Sequence, residues 1–288
     1  MVLRIIFSVL LLSSYSVIQS QCVSQVDFSF WEEAGADSTD ADWTIIPPGN
    51  QILQTINSFP SFYVSPQDFI NVEITGLIRV DTTQDDDFIG FVFGLQQPTT
   101  ISNTGQMLTI DAYVFDWKQS FQNQNGDVAN EGFCLSDVDG TFNTFGTTHS
   151  FWTHTNTATY QVMDSDFGPG KGWVDYTTYF FKLIYKQDQI LILIDQDTIF
   201  NVSGCYEPGR FGFYNYSQEK VVYSDFNYKP TNDFEIDTII CLDDTLSPSF
   251  VVDACAAASG ITYSSITSWF WDFGNGDTSN VQNPVSVY

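Results

Sequence analysis

Phe180-Phe181-Lys182-Leu183-Ile184-Tyr185 runs apolar into Lys186-Gln187-Asp188-Gln189 and returns as Ile190-Leu191-Ile192-Leu193-Ile194. Two runs rich in β-branched and aromatic residues flank a short polar connection, and that pattern predicts a β-hairpin. Outward from it the same composition recurs at residues 69–80, 88–95, 107–118, 209–214 and 220–228, with Gly, Asn, Asp and Pro clusters between the runs. No window of useful length carries a 3.6-residue apolar period with caps. The predicted class is all-β, and so many strands imply a sandwich or jelly roll. Polar stretches at 96–106, 120–132 and 153–172 are expected as loops, and Lys229-Pro230-Thr231-Asn232-Asp233 as a break in the pattern.

Residues 1–20 have the build of an export signal: Arg4, an apolar stretch at 5–12 and a small, polar exit ending at Ser20. Its apolar part is shorter than the roughly 20 residues a membrane helix needs, and no later run is long enough either. The expected organisation is a first domain at 21–229, a linker at 230–233 and a second unit at 234–288. Nine Lys and Arg face 35 Asp and Glu, a net charge of −26, so a phosphate backbone is repelled and nucleic acid is excluded as a partner. Disorder is excluded by the 16% aromatic content. Outside the cell such an excess of carboxylate is either solvated or neutralised, and calcium is the oxygen-seeking cation available there. Five cysteines, Cys22, Cys134, Cys205, Cys241 and Cys255, leave one without an intrachain partner. Cys134 with Cys205 is the pairing expected within the first domain.

Several stretches between Trp43 and Tyr228 carry a family resemblance. They are Gln54-Thr55-Ile56-Asn57, then Asp85-Asp86-Asp87-Phe88-Ile89-Gly90-Phe91-Val92-Phe93-Gly94-Leu95-Gln96, then Trp117-Lys118-Gln119. Gly172-Trp173-Val174-Asp175-Tyr176-Thr177-Thr178-Tyr179, Gly209-Arg210-Phe211-Gly212, Tyr216-Ser217-Gln218-Glu219 and Ser224-Asp225-Phe226 follow in order. Together they resemble the C-terminal domain of thrombospondins, a lectin-like jelly roll. The resemblance implies a concanavalin-like fold, calcium binding and a role in cell adhesion or matrix attachment. Farther on, Trp271-Asp272-Phe273-Gly274-Asn275-Gly276-Asp277 and Asn283-Pro284-Val285-Ser286-Val287-Tyr288 resemble the signature of the PKD domain, an immunoglobulin-like sandwich. Asn275 and Ser286 depart from that signature at an acidic position and at a histidine. The sequence stops before the remaining strands of such a domain, so an incomplete PKD unit of a longer surface protein is expected.

Four aspartates are the candidate metal ligands. Asp85, Asp86 and Asp87 are adjacent carboxylates at the head of an apolar strand, where a divalent ion relieves their repulsion. Alternation along a strand puts Asp85 and Asp87 on one side, so those two are preferred to Asp86. Asp116 interrupts the apolar run Val114-Phe115-Asp116-Trp117, where it is either a co-ligand of Asp87 or an outward-facing residue. Asp137-Val138-Asp139-Gly140, Asp164-Ser165-Asp166 and Asp243-Asp244 are expected as plain turns, and His149 and His154 as loop residues. The sequons Asn201-Val202-Ser203 and Asn215-Tyr216-Ser217 are present. No nucleophile elbow, His-Glu-x-x-His run or phosphate loop occurs, so the chain is expected to bind rather than catalyse. The function expected is a secreted or surface-displayed, calcium-binding adhesion module whose partner is a matrix or cell-surface protein or a glycan. A lectin using Asp87 with Trp152 or Trp173, and a non-catalytic appendage of a secreted hydrolase, are the alternatives.

Overall fold

The structure is a computed structural model that describes residues 26–35, 42–57, 59–96, 107–143 and 149–231, with two-residue strands at 245–246, 271–272, 278–279 and 286–287. The strands in chain order are β1 (Glu32–Gly35), β2 (Trp43–Ile46), β3 (Gln51–Gln54), β4 (Ser61–Phe69), β5 (Val72–Val80), β6 (Phe88–Leu95) and β7 (Met107–Lys118). After them come β8 (Gln122–Gln124), β9 (Asp127–Ala129), β10 (Gly132–Asn143), one helical turn α1 (His149–Thr153) and β11 (Tyr160–Phe167). The set ends with β12 (Thr178–Tyr185), β13 (Gln189–Ile194), β14 (Asp197–Ser203), β15 (Gly209–Tyr216) and β16 (Val221–Pro230). Two seven-stranded sheets result, in the orders β1-β4-β15-β6-β7-β10-β11 and β14-β13-β12-β5-β16-β3-β2. Neighbours run antiparallel throughout. This is an all-β, lectin-like jelly roll.

The hairpin predicted at 180–194 is β12–β13, with Tyr185 opposite Ile190. In the second sheet β5 alternates buried and half-buried side chains along its whole length, and β13 does the same. Such a period of two marks a sheet covered on one face only. β6 reads differently: every residue of Phe88–Leu95 is buried, and β15 is nearly so. A continuous apolar run of this kind needs cover on both faces. One cover is the second sheet, with Phe91 against Phe181 at 5.0 Å and Phe213 against Tyr223 at 4.4 Å between ring centres. The Tyr223 hydroxyl, reaching across from the second sheet, donates to the Tyr214 carbonyl at 2.5 Å. The other cover is α1, whose buried Phe151 and Trp152 pack with Phe62, Phe88, Val114, Tyr160 and Tyr214 as a second, outer core.

Some expectations fail for clear reasons. The run 69–80 is not one strand, because Asn71 takes a left-handed φ of 53° and the chain passes there from the first sheet to the second. The stretch 153–172, expected as a loop, contains the edge strand β11, which is polar because its outer side faces solvent. The stretch 120–132 holds the small hairpin β8–β9. Asp137-Val138-Asp139-Gly140 lies within β10 and Asp164-Ser165-Asp166 within β11, so neither is a turn. Lys229 and Pro230 belong to β16, and the domain therefore runs past the expected start of the linker.

Beyond Thr231 the described strands pair Thr245–Leu246 with Ser286–Val287 and Trp271–Asp272 with Thr278–Ser279. The rest of the expected PKD unit lies outside the described residues, as do the export signal, Asp243-Asp244, Cys22, Cys241 and Cys255. Among the described residues no helix is long and apolar enough to cross a membrane.

Candidate functional site

Residues 81–87 connect β5 to β6, and their acidic end sits over the edge of the core. Asp87 is 4% exposed, whereas Asp85 and Asp86 are half-buried. Carboxylate oxygens of the three lie within 4.8 Å of one another. Burial and the neighbouring Asp87 charge push the Asp85 carboxyl up to about 7. The Asn57 amide donates to Asp85, and Ser217 donates to Asn57 at 3.3 Å. Asp86 accepts from Ser120 and, at 2.5 Å, from Gln122. The Asp87 backbone N–H donates to Gln218 Oε1 at 2.9 Å, and the Asp87 carbonyl accepts from Trp173 Nε1 at 3.1 Å.

Lys118, at the end of β7 and opposite Phe88 of β6, closes the inner side of this loop. It is fully buried, and its ammonium donates to Asp87 Oδ1 at 2.6 Å, Gln122 Oε1 at 2.8 Å and the Asp86 carbonyl at 3.0 Å. The connection 172–177 is drawn onto the same place. Gly172 touches the backbone of Gln119 so closely that a Cβ would lie 1.7 Å from the Gln119 carbonyl oxygen. Gln119 Nε2 then donates to Asp175 at 3.1 Å. Three of the four most exposed large apolar side chains among the described residues project here, Phe121 from the connection 119–121 between β7 and β8, and Val174 and Tyr176 from 172–177.

Asp116 does not join the acidic cluster. Phe115 and Trp117 face the inter-sheet core, so the carboxylate of Asp116 points to the outer face of the first sheet, flanked in register by Gly90 and Cys134. There it is fully buried, with Oδ2 3.0 Å from His154 Nε2. Burial raises the Asp116 carboxyl above the usual carboxylate range, with His154 pulling the other way. His154 is therefore no plain loop residue: it is 8% exposed and its ring stacks on Phe167 at 5.4 Å. Reasoning from the sequence missed it. The available signal was an aspartate in an apolar strand, which needs a buried partner, in a chain with two histidines. The other, His149, is half-exposed at 3.4 Å from Asp127.

Trp152 and Trp173 are 8% and 1% exposed, so neither offers a face to a sugar. The expected Cys134–Cys205 disulfide does not form: Cys134 is a free, buried thiol beside Ser136, while Cys205 is disulfide-bonded elsewhere. Of the two sequons, Asn201 is exposed on β14 and Asn215 is wholly buried in β15.

Residues 38–232 match the family described as the thrombospondin C-terminal region. Thrombospondin-2 of Gallus gallus is 29% identical over 232 aligned residues, with 73% of this chain and 19% of that protein covered. Cartilage oligomeric matrix protein of Bos taurus is 27% identical over 211, with 68% and 26% covered. The chain thus spans about a fifth to a quarter of the length of these curated relatives. A Bacillus subtilis protein of unknown function with a galectin-like fold is similar in structure, at a TM-score of 0.49 and 13% identity, with 72% of this chain and 92% of that one covered.

Proposed function

The chain belongs to the family of the thrombospondin C-terminal region, and on that premise we propose that it is a calcium-binding recognition module of the extracellular space that attaches a larger protein to matrix or to a cell surface. The observation that carries the reading is the clustering of Asp85, Asp86 and Asp87, whose carboxylate oxygens lie within 4.8 Å of one another. Holding three carboxylates together costs free energy unless a proton or a cation is shared among them, and the raised Asp85 carboxyl reports that cost. Calcium takes roughly six to eight oxygens, mixing carboxylates with carbonyls and water, and an acidic loop open to solvent on one side supplies that mixture. Asp85 and Asp86, the two half-buried members of the cluster, would hold the ion, with Asp87 adding its charge beside them. Asp116 is left out, because its carboxylate is fully buried and engaged by His154.

Calcium would neutralise the loop and fix it, and the recognition surface is the rim around it. Phe121 lies between Ser120 and Gln122, the two residues that donate to Asp86. Val174 and Tyr176 flank Asp175, which is bonded to Gln119. An exposed apolar rim around a cation suits a protein surface or the face of a sugar ring. The outer face of the first sheet is unavailable for either, since α1 fills it. The chain on this reading is a binder and not a catalyst.

Calorimetric unfolding in a chelator and then in millimolar calcium tests the proposal. Binding to the folded state alone raises the melting temperature, by about 2.7 kcal/mol of stability at a hundredfold excess over Kd. Asp85→Asn together with Asp86→Asn should remove most of that rise. An unchanged melting temperature in the parent chain would sink the calcium reading.

A further inference from the structure

A lysine with no exposed surface is an unusual group in any fold, and Lys118 is one. Its ammonium has three N–H donors, and three oxygens stand to receive them: Asp87 Oδ1, Gln122 Oε1 and the Asp86 carbonyl, at 2.6, 2.8 and 3.0 Å. The rings of Phe88 and Trp152 lie over it, with centroids at 4.9 and 5.0 Å. Acceptors number the same as donors and aromatic faces close the remaining sides, which makes this a cation pocket with its cation tethered in place. The pocket backs directly onto the acidic loop, with Asp86 Oδ1 3.8 Å from the ammonium.

We propose that Lys118 is a resident cation that sets how much further positive charge the acidic loop accepts, so that one divalent ion is held on the open side through Asp85 and Asp86 while Asp87 Oδ1 stays with the lysine. The assignment rests on the calcium reading above. Three ionised carboxylates with one ammonium leave a charge of −2, which a single divalent ion cancels. The ammonium also occupies the Asp87 oxygen on the strand side, so Asp86, and not Asp87, partners Asp85 toward the ion. Removing the positive charge frees that oxygen and takes the loop to −3. A divalent ion then binds more strongly, because like-charge repulsion over a few ångströms in a partly buried site disappears. A lysine that merely filled space would act in the opposite direction, since its loss would loosen the loop and weaken binding.

The experiment compares the full chain with Lys118→Met and Lys118→Gln. Methionine matches the length and presents an apolar chain to Phe88 and Trp152, and glutamine keeps an N–H donor for Asp87. Calcium is titrated calorimetrically after chelator treatment, with tryptophan fluorescence checking that each variant is folded. The expected result is calcium affinity about tenfold or more above the parent chain in either folded variant, alongside a lower melting temperature without calcium. Equal or weaker affinity in a folded variant overturns the assignment of Lys118 and leaves the calcium reading standing. Binding by the variants but not by the parent overturns calcium as the native ligand and keeps the assignment. Absence of binding in all three overturns both. If Lys118→Met does not fold, Lys118→Gln gives the same comparison.

Discussion

Asp116 and His154 form a buried polar pair on a face otherwise made of Phe88, Val114, Tyr160 and Tyr214. Among the described residues neither Asp116 Oδ1 nor His154 Nδ1 has a hydrogen-bond partner, so the contact between Oδ2 and Nε2, with the Lys118 charge nearby, offsets the burial of Asp116. His154→Ala should therefore cost about 3–5 kcal/mol, read from urea unfolding in calcium. Asp116→Asn, which keeps a polar partner for the imidazole, should cost less. Calcium binding should survive both changes, because His154 is the hydrogen-bond partner of Asp116 and Lys118 that of Asp87, although Phe88 touches both His154 and Lys118. At this scale the sequence is informative about anomaly and silent about partner. Asp116 stands out as a charge in an apolar strand, but 38 residues separate it from His154, and nothing in a Thr- and Asn-rich stretch announces a buried ring. The run Asp85-Asp86-Asp87 is legible as a cluster for the opposite reason, adjacency along the chain. The partner that engages Asp87, Lys118, is not, since a lysine at a strand end ordinarily reads as solvated.

Strands with one covered face declare themselves by alternation, and strands with two covered faces by continuity. β5, β12, β13 and β6 are legible on those grounds. β10 is not, because Val138 is buried between exposed Asp137 and Asp139 in a pattern that also fits an acidic turn, and β11 is not, because on this edge strand only Tyr160 is buried. The connections matter as much as the strands. Gly172 brings 172–177 against Gln119, and from that contact follow the Trp173 bond to the Asp87 carbonyl and the Gln119 bond to Asp175. Gly172→Ala must push the two connections apart. The expected loss is about 1–3 kcal/mol of stability, with calcium affinity falling in parallel. Titration calorimetry and urea unfolding of the same preparation measure the two effects. A stability loss with calcium affinity unchanged would show that the 172–177 connection does not organise the acidic loop.

Across the molecule the charge balance of −26 is distributed unevenly in its consequences. Burial raises the carboxyls of Asp85, Asp116, Asp111, Asp137 and Glu33, with neighbouring acids adding to it at Asp85, Asp111, Asp137 and Glu33. A carboxyl whose value is raised in the fold stabilises the folded state below its unfolded value, and that contribution is lost as pH rises through the folded value. The Asp85 carboxyl is pushed up to about 7. In chelator, the melting temperature should accordingly rise as pH is lowered from 8 toward 5, opposite to the trend of a fold held by ion-paired carboxylates. Calcium should flatten the rise. A melting temperature that falls steadily over that interval would contradict it. The fold class and the ordered family motifs are legible at this scale. The second core is not, because Phe151 and Trp152 are two apolar residues in a polar stretch, and only the closed sheet shows what they cover.

β16, the last strand of the jelly roll, lies between β5 and β3 inside the second sheet, whereas β1 pairs with β4 alone at the rim of the first. If the module attaches a larger protein to its surroundings, as proposed, this placement governs how tension is borne. A pull delivered through the segment after Thr231 meets residues 227–230 paired with β5 and then 221–224 paired with both β5 and β3. A pull on the amino-terminal side meets the buried Phe28 and Trp31 and then four residues paired with β4 alone. If the loop between β5 and β6 holds its ion as proposed, the carboxy-terminal attachment is the stronger handle, and under load β1 yields before that loop is disturbed.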